Sequence, residues 1–453
     1  MNRINRMHRS EDGFVLMIVA CLLFISVGLV LTILDCASNY GRIAQEQATM
    51  EQAMYVAEGG LERGARFMQS NVVAIVNSST GATNGSGSIG AGTYNFFIQR
   101  VNSSTYTIVS TGQVYGAYQT SSVCRVVSLQ DIYQPTYAQF ALWTHISNNL
   151  AYEPGEVFNG AVHADDVMTF SNVGGGPVFS NVVSTLTNVV SNGSSNTWSA
   201  TNGIYFGGGF FINDYQGTMA DVDFNSAAST SLKNEASSQG LLLTGTSSIT
   251  FNGTKVAITT KSGASTTNYS YTFNSTNGII YTQSTNSNPG ILYLNGGTLT
   301  GRLTLVSDTN MLIQGNITYS TNPEVTNSTD ALALIARDNI IINTNAPNNL
   351  QLQAAILSPG GVSNIVSGVT NFLDGSFSVL DYNTRAASSN LNVYGCIVQN
   401  DRGAVNTFNS STGKLLTGYS KNYKYDPRFI NSPPPYFPTI SSQVIFSQWR
   451  DGH

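Results

Sequence analysis

The stretch GFVLMIVACLLFISVGLVLTIL, residues 13–34, decides how the rest of the chain is read. From Phe14 to Leu34 only Ser26, Gly28 and Thr32 interrupt the apolar run. As one helix it would be roughly 31 Å long at about 1.5 Å per residue, matching a hydrocarbon core of about 30 Å and exceeding the short apolar region of a cleaved secretory signal. The leader, Met1 to Gly13, carries Arg3, Arg6 and Arg9, whereas the first charge beyond the span is Asp35. That asymmetry keeps the amino terminus in the cytoplasm and sends about 420 residues to the other side.

The helix continues past the span. From Asn39 to Ser70 there is no Pro, and Met50, Met54, Ala57, Leu61, Ala65 and Met68 recur at spacings of three and four. One face of this extension is therefore apolar, while Glu46, Glu51, Glu58, Glu62, Arg63 and Arg66 keep most of the rest wet. The expected organisation is a leader (1–13), a membrane helix (14–34) and a stalk helix (35–70) that emerges from the bilayer.

Gly13-Phe14-Val15-Leu16-Met17-Ile18, with Ala57-Glu58-Gly59-Gly60-Leu61-Glu62-Arg63-Gly64-Ala65 downstream, resembles the amino-terminal segment of PilX-type minor pilins and of the K-type pseudopilins of type II secretion. The small residue at Gly13 stands at the start of the apolar run, where the prepilin peptidase cuts. The resemblance implies cleavage after Gly13, N-methylation of Phe14, and packing of the stalk among other pilin helices through Ile18, Met50, Met54, Ala57, Leu61 and Ala65. It also implies residence as a single-pass inner-membrane protein and then in a periplasmic or extracellular filament. Two positions depart from the family. Ile18 stands where major pilins carry a glutamate; a buried carboxylate there is costly in lipid and is tolerated because it meets a neighbour's terminal amine, so a subunit without it suits a filament tip. Glu11 and Asp12 precede the cut, where basic or neutral residues are more usual. An uncleaved signal anchor explains the hydropathy and charge equally well. A lipidation box at Ile18-Val19-Ala20-Cys21 fails, because only a few apolar residues precede Cys21 and the run continues past it.

Composition bounds the exported part. Only 10% of the 453 residues are charged, far below the usual quarter, and Ser, Thr, Asn and 43 Gly fill the balance. The expected fold is mainly β with one long amino-terminal helix. A net charge of −5 without a basic cluster makes nucleic acid a poor partner. Of the four cysteines, Cys21 and Cys36 belong to the anchor helix; Cys124 and Cys396 could pair only if their domains touch, and no metal-ligand spacing exists among them. No cofactor motif is found.

In chain order, residues 71–88 read as a flexible connection, with Ser78-Ser79-Thr80-Gly81 and Asn84-Gly85-Ser86-Gly87. Thr93–Val101, Tyr106–Ser110 and Val123–Leu129 are strand-like, with a turn region around Gly112 and Gly116, and make a pilin-like antiparallel meander over 89–135. From 137 to 420 short apolar alternations between Gly, Asn and Asp turns suggest a parallel β-helix or related solenoid. The regular part comprises Ile279–Thr282, Ile291–Leu294, Leu303–Val306, Met311–Tyr319, Ala331–Ile335, Ile340–Ile342, Leu350–Leu357, Phe377–Leu380 and Leu391–Val398. Residues 184–277 are less clear, with one short helix expected near Leu232–Ala236. An antiparallel sandwich stays open, since periodicity does not report strand direction. Residues 421–453 read as a Pro/aromatic cap. The Tyr394-Gly395-Cys396 and Gly418-Tyr419-Ser420 regions, with Pro433-Pro434-Pro435-Tyr436-Phe437-Pro438, look like the extended heads of pilus-assembly proteins with a PilX-type start.

Solenoids that cleave acidic polysaccharides use carboxylates in a groove, so His163 with Asp165 and Asp166 is the place to look for catalysis. In a strand the two aspartates point to opposite faces, so only one could join His163, and a turn pair is the simpler role. Gly207-Gly208-Gly209 lacks a following Lys and Ser/Thr and is a loop, not a phosphate cradle. Tyr419, Lys421, Tyr423, Lys424, Tyr425 and Arg428 interleave aromatics with cations and could contact a sugar or partner, although a cap over the end of the solenoid is the simpler role. The sequence thus reads as a non-enzymatic minor pilin or pseudopilin of a type IV pilus or type II secretion-like filament. Its expected partners are the prepilin peptidase, other pilins, the inner membrane and a surface glycan or cell-surface partner of the head. The alternative is a membrane-anchored surface β-helix acting on or binding polysaccharide.

Overall fold

The computed structural model describes residues 8–76, 82–100, 105–115, 123–133, 135–148, 150–171, 176–187, 205–206, 210–212, 227–262, 265–285, 288–325, 328–360, 373–440 and 445–452. The chain divides into two units: Met1–Arg100 with Tyr106–Ile132 and Phe446–His453, and Val101–Thr105 with Tyr133–Ile445.

Unit 1 is built on one continuous helix, α1 (His8–Val76), and a five-stranded sheet. The strands β1 (Ala82–Ile89), β2 (Gly92–Arg100), β3 (Thr105–Tyr115) and β4 (Val123–Tyr133) lie in sequence order, with β1–β2–β3 antiparallel. The fifth strand is the last one in the chain, Ile445–Gly452, which lies beside β4. Unit 2 is therefore an insertion between two neighbouring strands of one sheet, and the 421–453 span is split between the units. The connection expected over 71–88 is also revised: Ala82–Ser88 is strand β1. Gly85 lies opposite Phe96 and Gly87 opposite Tyr94, and each ring fills the space a side chain would need. An aromatic partner compensates the weak intrinsic strand preference of glycine.

Unit 2 opens with β5 (Phe140–Ile146), β6 (Ala151–Tyr152), β7 (Val157–Phe158), β8 (Ala161–Ala164), β9 (Thr169–Phe170), β10 (Val178–Phe179), β11 (Val183–Thr185), β12 (Tyr205–Phe206) and β13 (Phe210–Ile212). The helix α2 (Ala227–Gln239) covers the segment in which the sequence predicts one. There follow β14 (Leu241–Thr244), β15 (Thr246–Gly253), β16 (Lys255–Ser262), β17 (Ser265–Thr272), β18 (Gly278–Gln283), β19 (Leu292–Leu299), β20 (Arg302–Ser307), β21 (Met311–Ile313) and β22 (Ile317–Tyr319). The last set is β23 (Ala331–Ala336), β24 (Ile340–Ile342), β25 (Asn349–Ser358), β26 (Phe377–Val379), β27 (Ser389–Asp401), β28 (Asn406–Phe408) and β29 (Leu415–Tyr425), after which β30 is the Ile445–Gly452 strand of unit 1.

Apart from the antiparallel pairings β15–β16–β17 and β28–β29, these strands stack as parallel ladders, which excludes the antiparallel sandwich. The longest runs β13-β11-β8-β5-β27-β25-β23-β20-β18-β14. Its register aligns Val183, Val162, Leu142, Ile397, Ile356, Leu334, Leu305 and Ile280 in one interior column. A second ladder carries Leu292, Met311, Ile340 and Phe377, and a third Ile317, Leu352, Val393 and Tyr423. The chain does not climb this stack from one end. It begins in the middle at β5, builds outward to β13, restarts at the opposite end with β14 and returns until β27 pairs with β5, with Ile397 beside Leu142.

The long ladder is buried on both faces, which is why its strands read as unbroken apolar runs such as Ala331–Ala336. Its inner face joins the main core, which includes Leu305, Leu334, Ile356 and Ile397. Its outer face packs against Leu232 and Ala236 of α2, Tyr137 and Phe140, and Phe429, Phe437 and Ile440 of the carboxy-terminal strap. The proline run is tied there: Arg302 donates to the Pro433 carbonyl, Thr304 to that of Pro435, and Asn277 to the Tyr436 hydroxyl at 2.7 Å.

Candidate assembly surface

From Phe14 to Leu34 the large apolar side chains of α1 are exposed, Phe14 at 65% and Ile18 at 45%. Among the described residues this is one helix long and apolar enough to cross a membrane. Its hydroxyls are internally satisfied: Ser26 donates to the Leu23 carbonyl at 2.8 Å, and Thr32 to that of Leu29 at 2.8 Å. Nothing polar in those side chains then has to be left unpaired in lipid. Gly13 and Phe14 lie within the helix, and no atom lies within 4 Å of the space a Gly13 side chain would fill. Residues 1–7 of the leader lie outside the described residues.

Further along, the same helix changes partner. Ala53, Val56, Ala57, Leu61, Ala65 and Met68 are buried against Tyr94, Phe96, Ile98, Ile108 and Val114 of the sheet. The small residues permit this approach. A side chain at Gly60 would meet Ser110 Oγ at 2.5 Å, and one at Gly64 would meet Ile108 and Phe96 at 3.1 and 3.2 Å. Gly112, expected in a turn, is in β3, and its α-carbon faces the helix so closely that a methyl would sit 2.2 Å from the Ala53 carbonyl oxygen.

This placement corrects the filament-packing set. Ala57, Leu61 and Ala65 are consumed inside the subunit and have no surface to offer a neighbour. Met50 (60% exposed) and Met54 (39%) remain outside, with Tyr40, Ile43 and Tyr55 exposed nearby, three residues the spacing argument passed over. The apolar periodicity was legible, but a stripe looks the same whether its own sheet or another helix covers it. Gly112→Ala should cost about 1–3 kcal/mol of unit 1 stability by overpacking, read as a lower thermal midpoint of the detergent-solubilised chain. Gly41→Ala, at a helical position with nothing within 4 Å, should be neutral or stabilising.

In unit 2, Asp165 is the hub of a buried polar cluster. His163 Nε2 lies 3.0 Å from Asp165 Oδ1, its Nδ1 lies 2.7 Å from Ser184 Oγ, and His145 Nδ1 lies 2.8 Å from Asp165 Oδ2. Asp166 faces elsewhere and accepts from the Ser147 amide at 3.2 Å. Burial alone would raise the Asp165 carboxyl, but hydrogen bonds from both histidines hold it below the usual range, and the bond to Asp165 raises His145. The Ser184, His163, Asp165 order is that of a nucleophilic relay. Ser184 and His163 are sealed from solvent, at 1% and 0% exposed, and the cluster ties β5, β8 and β11 together. Gly207–Gly209 lie outside the described residues.

The aromatic and basic residues after Gly418 are also engaged internally. Tyr419 is fully buried and donates to the Pro347 carbonyl; Tyr425 is buried and donates to that of Ala138. Tyr423 packs against Phe158, and Arg428 pairs with Asp426 at 2.6 Å. Lys424 is half-exposed and pairs with Glu324. Lys421 points inward, 2.9 Å from Glu153 and 2.8 Å from Glu156. These rings offer no open platform, and they do not cap an end of the solenoid either, because β29 pairs with β27 and β27 with β5 inside the stack. Cys396 carries a free thiol in unit 2, and burial pushes it up.

No protein-family model matches the chain, and no curated protein matches it. Among solved structures, the competence-associated pilin ComZ from Thermus thermophilus aligns over 89% of this chain and 98% of its own, at 12% identity and a TM-score of 0.34. At that score the likeness is loose. The PilX-type and K-type resemblance finds no support there.

Proposed function

We propose that this chain is a pilin-type subunit, a minor pilin or pseudopilin, whose solenoid head is carried at or near the tip of a membrane-derived filament. One observation carries the reading: a single 69-residue helix is bare and apolar over its first part, then docks its own antiparallel sheet over its last. A helix that serves only as an anchor has no need of exposed apolar side chains such as Met50 and Met54 beside the face that docks the sheet. Extraction of the apolar part from the bilayer into a bundle of like helices would cover both. Ile18 brings no charge into such a bundle, which favours a terminal over a repeating position. Cleavage after Gly13 by a prepilin peptidase and methylation of Phe14 belong to this reading. The head is read as a contact and structural element and not an enzyme, supported by the sealing of Ser184 and His163.

The geometry sets the test. A photoreactive residue placed at Met54 in assembling cells should crosslink to the helix of another pilin-type subunit, whereas one at Ala57, buried under its own sheet, should not. Absence of adducts at both Met50 and Met54 would leave an anchored surface protein.

A further inference from the structure

Among the described residues of the head, strand β17 is a long edge that carries none of the usual protections. It pairs with β16 on one side, from Lys255↔Thr272 to Ser262↔Ser265, and among the described residues no strand pairs with its other side. Its sequence is Ser265-Thr266-Thr267-Asn268-Tyr269-Ser270-Tyr271-Thr272, and every residue but Tyr271 is exposed. In an antiparallel ribbon every second residue turns its N–H and C=O away from the existing partner, so this edge offers a row of unpaired donors and acceptors. Natural edges are blunted by charge, proline, bulges or shortness. Here there is no charged residue, no proline and no register shift over eight residues. The hairpin β28–β29 shows the contrast: β28 has three residues and its pairing shifts register between Thr407 and Phe408.

We infer that the edge of β17 is an association surface, and that its occupant is the same strand of a second copy. Antiparallel self-pairing requires a two-fold axis perpendicular to the sheet, so a residue of one copy lies opposite itself. Centred on Tyr269, the pairing sets Tyr269 against its counterpart, Ser270 against Asn268, Tyr271 against Thr267 and Thr272 against Thr266. No like charges face each other, and the pairs join aromatic, hydroxyl and amide side chains that favour cross-strand contact. The lysines of this hairpin, Lys255 and Lys261, sit on β16, one strand removed. The ribbon is continuous with the solenoid, because β15 pairs with β16 and with β19. Pairing of two β17 edges would thus make one sheet through two heads. Tyr269, opposite Ile258 on the face that also holds Tyr271, would extend the apolar cover over the β15 end of the core.

The test uses the full chain in detergent, with protein mass and hydrogen exchange measured over a concentration series. The expected result is an about twofold rise in protein mass with concentration, with slowing exchange at the outward amides of 265–272. Tyr269→Lys and Tyr269→Glu, which each set like charges across the axis, should each lose both effects, and an equimolar mixture should regain them. Mass that rises while the 265–272 amides stay fast at every concentration would overturn the inference, because association would then run through another surface such as the anchor helix. A chain that stays monomeric throughout, or a mixture that fails to recover, would overturn it as well.

Discussion

Lys421→Met should lower the unfolding free energy of unit 2 by about 3–5 kcal/mol, because it strands two carboxylates at the seam where the solenoid closes on itself. The seam is made by a single turn. Glu153-Pro154-Gly155-Glu156 has proline and glycine at its centre, Gly155 at φ +80°, and a bond from the Glu156 amide to the Glu153 carbonyl at 3.3 Å. That is the conformation in which the third position favours glycine. It brings both carboxylates to one side, and Lys421 of β29 bridges them from the far end of unit 2 with its side chain 9% exposed. Arg402 completes the seam, stacked 3.9 Å over the Tyr152 ring and donating to the Leu150 carbonyl at 2.6 Å. Urea unfolding of the detergent-solubilised chain measures the loss. Adding Glu153→Gln and Glu156→Gln to Lys421→Met should recover most of it, since the cost lies in unpaired charge more than in lost attraction. A loss under about 1 kcal/mol would place the seam pair in the weak class of surface ion pairs.

Asp338→Asn should do the opposite, stabilising the head above neutral pH by about 2–4 kcal/mol. Burial, and then the nearby Asp374, raise the Asp338 carboxyl from its ordinary value near 3.8 to about 7. A group raised on folding contributes its stability in full below the unfolded value and loses it as pH rises through the folded one. The wild-type head should therefore weaken steadily between about pH 4 and 7, and His145, also raised, adds to the same trend at its upper end. The amide variant has no charge to bury, so its slope over that window should be shallower and its midpoint at pH 8 higher than wild type. Equal urea midpoints at pH 8, or an unchanged slope, would contradict the role given to Asp338.

The long amino-terminal helix with its apolar first part was legible, since hydropathy depends on no partner, although α1 runs from His8 to Val76, beyond the expected ends. So were most strands from Ile279 to Val398, although Met311–Tyr319 is two strands, β21 and β22, and β28 and β29 were not foreseen. The long ladder is covered on both faces where Ala331–Ile335 prints as a continuous apolar run, whereas Leu350–Leu357 alternates through Gln351 and Gln353 before its continuous stretch from Ala354. Strand direction and the permuted path were not legible, because nothing local to Leu142 names Ile397 as its neighbour. The hairpin 255–272 was not legible because β17, exposed everywhere but at Tyr271, shows no alternation of apolar and polar residues. In Tyr419–Tyr425 the alternation was visible and its sense was not: the odd positions face inward, and Lys421 goes with them only because Glu153 and Glu156 wait there. Ala57, Leu61 and Ala65 show the same ambiguity, a true apolar stripe whose cover turned out to be the subunit's own sheet.

The proposal that the chain enters a filament is tested most directly by the mass of its amino-terminal peptide, measured after expression with and without a prepilin peptidase. The expected chain begins at methylated Phe14 when the peptidase is present and at Met1 when it is absent. A Met1 terminus under both conditions would contradict it, leaving Phe14–Leu34 as a permanent anchor.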